Sequence, residues 1–370
     1  MVSLNTVFPN EFPSTGAGDD ATAELFDALI SEHSAALGDP LTFAHMDPPA
    51  SAVAARVVGR NALTNQNLLH PDLSPLARVA ETKAIDWLAP LFGMQDGLMC
   101  SGSSVANLTA LWCARESGAV RVVGSVDAHL SIAKSAHLLG LPFYAVPVDS
   151  FGRMQIATTE VRESDCVVLT AGTTGRGAID PLQTVNSRWL HDDAAWAGPL
   201  QLTAYANRLS GIEQANSVAI SAHKWLFQPK DSALVFFKDV KSRELISFGG
   251  AYLATPNVGI QGSRSAAGLA LLATLMSEGK SGLAAIIEKC MKDAEKFASY
   301  VQSHNELQLK SLPETGVVNW RPENGDVSTA AKALGLTSST VTIDGEIWLR
   351  QVAANPSLDI GAVIEKIDCL

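Results

Sequence analysis

The sequence predicts an α/β fold, a mainly parallel seven-stranded sheet covered by helices and followed by a small C-terminal α+β unit. Between residues 97 and 238, seven short apolar runs alternate with helix-like segments and small polar loops. After Gly262 that alternation stops and two long helical patterns begin. Beyond them lie only short strand-like runs and one last helix. Alternating strands and helices favour a parallel sheet, because a parallel strand needs a crossover to return.

In chain order, residues 1–20 are polar, with Pro, Gly and Asp, and read as a loose arm. Residues 21–36 have helical spacing through Leu25, Leu29 and Ile30, and residues 39–67 read as irregular. Residues 74–92 read as an amphipathic helix. Ser74 can cap it, Pro75 suits its first turn, and Leu76, Val79, Ala80, Ala84, Trp87 and Leu88 form one face. Strands are expected at 97–100, 120–125, 142–147, 166–170, 189–193, 217–221 and 233–238, with helices at 106–117, 130–139 and 204–211. The C-terminal part is expected to hold helices at 265–278 and 281–303, strands at 317–321, 340–343 and 347–352, and a helix at 360–367. The predicted division is an arm over 1–45, a large domain over 46–264 and a small domain over 265–370.

The chain has 370 residues, 47% hydrophobic and 18% charged, enough for a sizeable core and too apolar for general disorder. A net charge of -11, with no Lys/Arg run, argues against nucleic acid as a partner. The five cysteines (Cys100, Cys113, Cys166, Cys290, Cys369) are scattered without a C-x-x-C pair. No metal site or disulfide framework is expected from them, and they read as buried thiols in a reducing compartment. The N-terminus lacks the basic-then-apolar pattern of a signal peptide, and no uninterrupted apolar run reaches the ~18 residues of a membrane span. A cytoplasmic protein without a membrane partner is the expectation.

The chemistry concentrates at strand ends, where ligands sit in such folds. Lys224, in Ser221-Ala222-His223-Lys224-Trp225, directly follows a histidine and a strand. A lysine in an apolar or cationic pocket has a depressed pKa and offers a free amine for imine chemistry. Asp193, in His191-Asp192-Asp193-Ala194-Ala195-Trp196, ends another strand. Period-two alternation puts His191 and Asp193 on one face and turns Asp192 to the other. The two alanines after Asp193 let a flat ring approach. A Schiff-base lysine and an aspartate on a ring nitrogen are the two anchors that pyridoxal phosphate needs.

Ser101-Gly102-Ser103-Ser104 lies between a strand and a helix, the usual place for an anion site made of amides and hydroxyls. Gly172-Thr173-Thr174-Gly175 and Asp127-Ala128-His129 are further loops after strands. Alone, each feature has an ordinary alternative. Lys224 reads as half of an ion pair, Asp193 as a helix cap, the small loops as plain βα connections, and His129 as a structural or surface histidine. Together, in this order, they can surround one phosphorylated ring.

These residues resemble the group II pyridoxal-phosphate-dependent amino acid decarboxylases, which include aromatic amino acid, glutamate and diaminobutyrate decarboxylases. The likeness spans roughly residues 40–360. It rests also on Phe43-Ala44-His45-Met46-Asp47-Pro48-Pro49, Asn65-Gln66-Asn67-Leu68-Leu69, Ser74-Pro75, Ser103-Ser104-Val105-Ala106-Asn107 and Ala128-His129-Leu130-Ser131. The resemblance implies fold type I, the aspartate aminotransferase architecture, working as a homodimer. The large domain would bind the cofactor. Lys224 would be the Schiff-base lysine, and Asp193 would hold the protonated ring nitrogen. His129 would stack on one ring face and Ala195 pack on the other. Ser103, Ser104, Ser221 and His223 would hold the phosphate, and Thr174 would lie near the phenolic oxygen or the substrate carboxylate. An L-amino acid would lose CO2 through an external aldimine and a quinonoid. Phe43, His45 and Met46 match a segment that lines the substrate pocket in the family. Arg350 matches a family arginine and reads as a carboxylate binder or, the preferred reading, as an ion pair joining the domains.

The chain departs from the family pattern at several places. Ser103 replaces a glycine, Asp192 an apolar residue, and Asn216 an aspartate. A structural role is expected for Asp192. Relatives carry a loop after the lysine whose tyrosine protonates Cα. Here the stretch 252–264 is short, and Tyr252 matches a position before that loop. Oxidative deamination coupled to decarboxylation, a β-elimination lyase and a non-catalytic homologue therefore stand as alternatives to simple decarboxylation.

Overall fold

The computed structural model describes residues 7–369. The chain falls into two compact units, residues 1–36 and 37–370. In the first, helix α1 (Asp19–His33) has no buried residue, and the Phe8 ring lies 5.9 Å from Phe26.

The second unit opens with α2 (Ala52–Ala62) and α3 (Pro75–Leu88). The alternating region follows as β1 (Asp96–Cys100), α4 (Ser103–Glu116), β2 (Arg121–Ser125), α5 (Leu130–Leu138), β3 (Phe143–Val146) and β4 (Asp165–Thr170). It continues through β5 (Trp189–Asp193), β6 (Ser217–Ile220) and β7 (Ala233–Phe237), then a short hairpin of β8 (Ser247–Phe248) and β9 (Asn257–Val258). The C-terminal part holds α6 (Ala267–Ser303), β10 (Leu307–Leu309), β11 (Val317–Pro322), α7 (Val327–Leu334), β12 (Ser339–Ile343), β13 (Glu346–Val352) and α8 (Ile360–Asp368).

The large sheet has seven strands in the order β1-β7-β6-β5-β4-β2-β3. Only β7 runs against its neighbours. Side-chain alternation divides its core between two faces. Val167, Leu169, Leu190, Val218 and Ile220 pack on one face, and Cys166, Val168, Trp189 and Ala219 on the other. The four-stranded sheet β10-β11-β13-β12 is antiparallel.

All seven expected strands of the large sheet form, within a residue or so of their predicted ends. The expected helix at 204–211 does not. The chain there makes three short 3₁₀ turns, Gly198–Leu202, Ala206–Leu209 and Ile212–Gln214. Local bonds compete with the helix: the Thr203 hydroxyl donates to Leu200 O and accepts from Tyr205 N–H, and Gly211 is left-handed at φ 101°. The stretch read as irregular contains α2. Ser51 caps it by accepting Ala54 N–H at 3.2 Å, and its hydroxyl lies 2.8 Å from Thr274 Oγ1 of α6.

Among the described residues, α6 alone has the length and mean apolarity of a membrane span. It is broken at Gly279 (φ 62°, ψ 178°), and Leu271, Ile287, Met291 and Phe297 are buried within this unit. Four cysteines are buried as expected, whereas Cys369 is exposed.

Candidate active site

The site forms where β4, β5 and β6 end. The parallel register aligns Thr170, Asp193 and Ala219, so their side chains share one face at the same height. Asp193 is 3% exposed. Its Oδ1 accepts Ala195 N–H at 3.2 Å, and its Oδ2 accepts from Asn107 Nδ2 at 2.9 Å.

Lys224 sits in the turn after β6. Lys224 N–H donates to Ser221 O (3.2 Å), Phe227 N–H to Lys224 O (2.9 Å) and His223 N–H to Ser232 O (3.0 Å). The turn is backed by Trp225, which is fully buried. His129 caps α5: its Nδ1 accepts Ser131 N–H at 3.2 Å and lies 2.8 Å from Ser131 Oγ.

Ser103, His129, Thr174, Asp193, Ala195 and Lys224 line one cleft, together with Thr170, Gly172 and Trp196. The space between these side chains is small. Ser221 is buried and His223 half-buried, in the same turn as Lys224. Ser104 is exposed and outside the lining. Phe43 and Met46 are buried: the Phe43 ring packs edge-on against Phe297, and its backbone bonds to Leu336 and Val352. The segment around Phe43 is thus stitched to the C-terminal part of the chain. His45 is exposed, and none of the three lines the cleft.

The preferred reading of Arg350 as a domain-joining ion pair does not hold. Among the described residues it makes no salt bridge. Its side chain donates from Nη2 to Ala44 O at 3.5 Å, and its buried Nε has no partner. The backbone of β13 places its guanidinium within the electrostatic reach of Lys224 and Asp47. Asp47 escaped the sequence reading. It pairs with Lys230 and acts electrostatically on both Lys224 and His223.

Burial lowers the Lys224 pKa below that of a free lysine, against the opposing pull of Asp193 and Asp47. Burial likewise lowers His129, with Asp193 opposing and Lys224 adding. His223 is brought down to about 4 by burial and by Lys230 and Lys224. These shifts favour neutral imidazoles and a more available amine near neutral pH.

The donor set fits a phosphorylated ring. The buried Thr170 Oγ1, Ser221 Oγ and His223 Nδ1 have no hydrogen-bond partner within the protein, and such atoms need one. Helix α4 starts without a side-chain cap, which leaves the amides of Ser103 and Ser104 available to an anion. Tyr252, by contrast, is 77% exposed, lies between β8 and β9, and does not line the cleft.

Fold and cleft together fit the class of pyridoxal-phosphate-dependent enzymes. The pyridoxal-dependent decarboxylase conserved domain matches residues 36–322. The L-2,4-diaminobutyrate decarboxylase of Rhizobium meliloti (strain 1021) is 29% identical over 396 residues, covering 93% of this chain and 80% of that protein. The aspartate 1-decarboxylase of Aliivibrio fischeri is 26% identical, covering 84% and 68%. Among solved structures, the glutamate decarboxylase domain of a Vibrio parahaemolyticus diaminobutyrate-pyruvate transaminase and L-2,4-diaminobutyrate decarboxylase superposes with a TM-score of 0.83. It is 22% identical and covers 97% of this chain and 87% of its own. Oryza sativa TDC with PLP and tryptamine gives 0.86 at 19% identity, covering 97% and 89%. The chain belongs to the pyridoxal-dependent decarboxylase family. It is accordingly a carboxy-lyase of fold type I that uses pyridoxal phosphate and takes an amino acid substrate.

Proposed function

We propose that the cleft between Lys224 and Asp193 decarboxylates a short L-amino acid with a charged side chain, releasing CO2 and the amine. The observation that carries this is the convergence of Lys224, Asp193 and His129 on one small cleft with an unpaired arginine nearby. Relatives matched over most of their length are named for diaminobutyrate and aspartate, which supports a short charged substrate.

When bound, pyridoxal phosphate supplies an electron-accepting ring for the bond to the departing carboxylate. Lys224 would be the lysine that holds it, and its lowered pKa makes the free amine more available for that bond. Asp193 would hold the ring nitrogen. His129 would cover one ring face and Ala195 the other. Ser103, Ser104, Ser221, His223 and the first amides of α4 would hold the phosphate, and Thr174 would face the phenolic oxygen or the substrate carboxylate. Arg350 attracts a substrate carboxylate. The homodimer is part of this proposal. Its support is the apolar stripe of α3, where Leu76, Val79 and Trp87 are exposed.

Borohydride treatment of the loaded protein should fix the cofactor on the peptide carrying Lys224, and Lys224→Ala should retain none. Wild-type protein should release CO2 and amine, without peroxide or ammonia, from L-2,4-diaminobutyrate or L-aspartate. Cofactor fixed on another lysine, or activity confined to aromatic amino acids, would overturn this reading. Peroxide with ammonia would favour oxidative deamination instead.

A further inference from the structure

Asn107 lies one helical turn beyond Ser103 on α4 and is 1% exposed. Its side chain meets three partners. Nδ2 is 2.9 Å from Asp193 Oδ2 and 2.9 Å from Ser131 Oγ, and Oδ1 is 3.1 Å from His191 Nε2. A carboxylate oxygen has no hydrogen to give, so the amide nitrogen must be the end that faces Asp193. This contact fixes the orientation of the carboxamide. Oδ1 then accepts, and His191 Nε2 carries the hydrogen.

The consequences run in both directions. Burial brings the His191 pKa down to about 4, so near neutral pH the ring is neutral and its Nδ1 is bare. That nitrogen lies 2.9 Å from Ser217 Oγ, whose hydroxyl can donate to it and whose oxygen accepts Trp189 Nε1–H at 2.8 Å; the Ser217 carbonyl oxygen is also near, at 3.2 Å. The hydrogen bonds can thus run in one direction, from Trp189 through Ser217, His191 and Asn107 to Asp193. On the other side, the second N–H of Asn107 goes to Ser131 Oγ, which directs the Ser131 hydrogen to His129 Nδ1. Ser131 N–H reaches the same nitrogen. His129 Nδ1 is thus an acceptor, and the neutral ring carries its hydrogen on Nε2.

We propose that Asn107 is a positioning residue for the cofactor. One carboxamide holds Asp193 in place and, through Ser131, sets the tautomer of His129. This rests on the reading of Asp193 and His129 as the residues that hold the ring. The titratable groups around Asn107 are Asp193 and His191 from β5 and, beyond Ser131, His129. Lys224 acts electrostatically on both Asp193 and His129.

The decisive variant is Asn107→Asp, compared with Asn107→Leu. The introduced acid can donate to Asp193 only while protonated; ionised, it repels Asp193. Cofactor affinity is measured by absorbance titration of the apoprotein with pyridoxal phosphate across pH, each variant normalised to wild type. Both variants should bind about ten- to a hundredfold more weakly at neutral pH, the loss expected for a hydrogen bond to a charged group. Asn107→Asp should recover several-fold as the pH falls, and Asn107→Leu should not. A purely structural role would give both variants the same pH curve, and that result overturns the proposal. Nitrogen-15 spectra of labelled wild-type protein give a second readout, with the His129 signal identified by its loss in His129→Gln. They should show Nε2 protonated and Nδ1 bare. A hydrogen on Nδ1 overturns the relay without any Asn107 variant. If wild-type protein fails to bind the cofactor at Lys224, the functional reading has failed rather than the role of Asn107.

Discussion

The indoles of Trp196 and Trp225 lie with ring centroids 4.0 Å apart. Trp196 stands three residues after Asp193, and Trp225 directly follows Lys224, so the pair joins the segments that carry these two residues of the cleft. Trp196 Nε1 donates to Thr315 O at 2.6 Å, and Trp225 Nε1 donates to Ala353 O at 3.2 Å. Both rings thereby fasten the site to the backbone beside the C-terminal sheet. The packing is tight on either side. A Cβ at Gly172 would meet the Trp196 ring at 2.8 Å, and one at Gly316 would meet Trp225 at 3.1 Å.

Trp225→Ala should therefore cost stability and alignment together. Removing a fully buried indole destabilises by about 3–5 kcal/mol. The Lys224 turn loses its backing, so cofactor affinity should fall even in the fraction that stays folded. Urea unfolding and cofactor titration check the two effects. Wild-type affinity in the folded variant would show that the pair does not align Lys224.

Arg264 and Glu81 meet through two hydrogen bonds of 2.6 Å, in fork-to-fork geometry. The pair ties the end of the short stretch after β9 to α3, and Leu68 N–H donates to Arg264 O at 3.3 Å beside it. Breaking a largely buried pair strands the surviving charge. Arg264→Met or Glu81→Leu alone should cost about 3 kcal/mol, and the double replacement less than either. A double-mutant cycle with no coupling would sink this account.

Much of this arrangement was legible in the sequence because it depends on local order. Asp193 ends β5, Lys224 sits in the turn after β6 and His129 caps α5 after β2, all close to predicted strand ends, and period-two alternation separated Asp193 from Asp192. The Trp196–Trp225 contact and the role of Asn107 were not legible. Asn107 meets Asp193 across 86 residues of chain, and only the packing of α4 on β5 and β6 creates that contact. Helix α2 was missed for a similar reason. Gly59 and Asn61 weaken its local pattern, while packing on α6 sustains it. The region 204–211 failed in the opposite sense: helical composition lost to hydroxyl bonds around Thr203.

Asp192 faces the apolar side of the sheet, in register with Leu169 and Val218. Neither carboxyl oxygen has a partner, and burial, reinforced by Asp180, raises its pKa well above that of a free aspartate. The folded chain thus holds this proton while the unfolded chain releases it near the ordinary value. Stability conferred by the neutral form is present at low pH and is lost as pH rises toward the folded pKa. Asp180, raised to about 6 by burial, adds a loss of the same sign up to that pH. Asp192→Val should stabilise the protein by about 1–3 kcal/mol at pH 7, with the gain shrinking toward pH 4. Urea midpoints across that range test it; a variant less stable than wild type at pH 7 would refute the account.

Arg350 carries a buried Nε without a partner and no salt bridge among the described residues, yet it acts electrostatically on Lys224. Burial lowers its pKa, with only Asp47 opposing. A guanidinium in that condition gains most from an anionic ligand that restores its lost solvation. Arg350→Gln keeps a polar side chain but removes the charge. KM for the amino acid should rise roughly tenfold to a hundredfold, the value of a hydrogen bond to a charged group, while cofactor affinity changes little. Arg350→Lys should recover part of the loss, since it restores charge without the fork. An unchanged KM in Arg350→Gln would remove Arg350 from substrate binding. A fall in kcat at constant KM would instead place its contribution in the transition state alone.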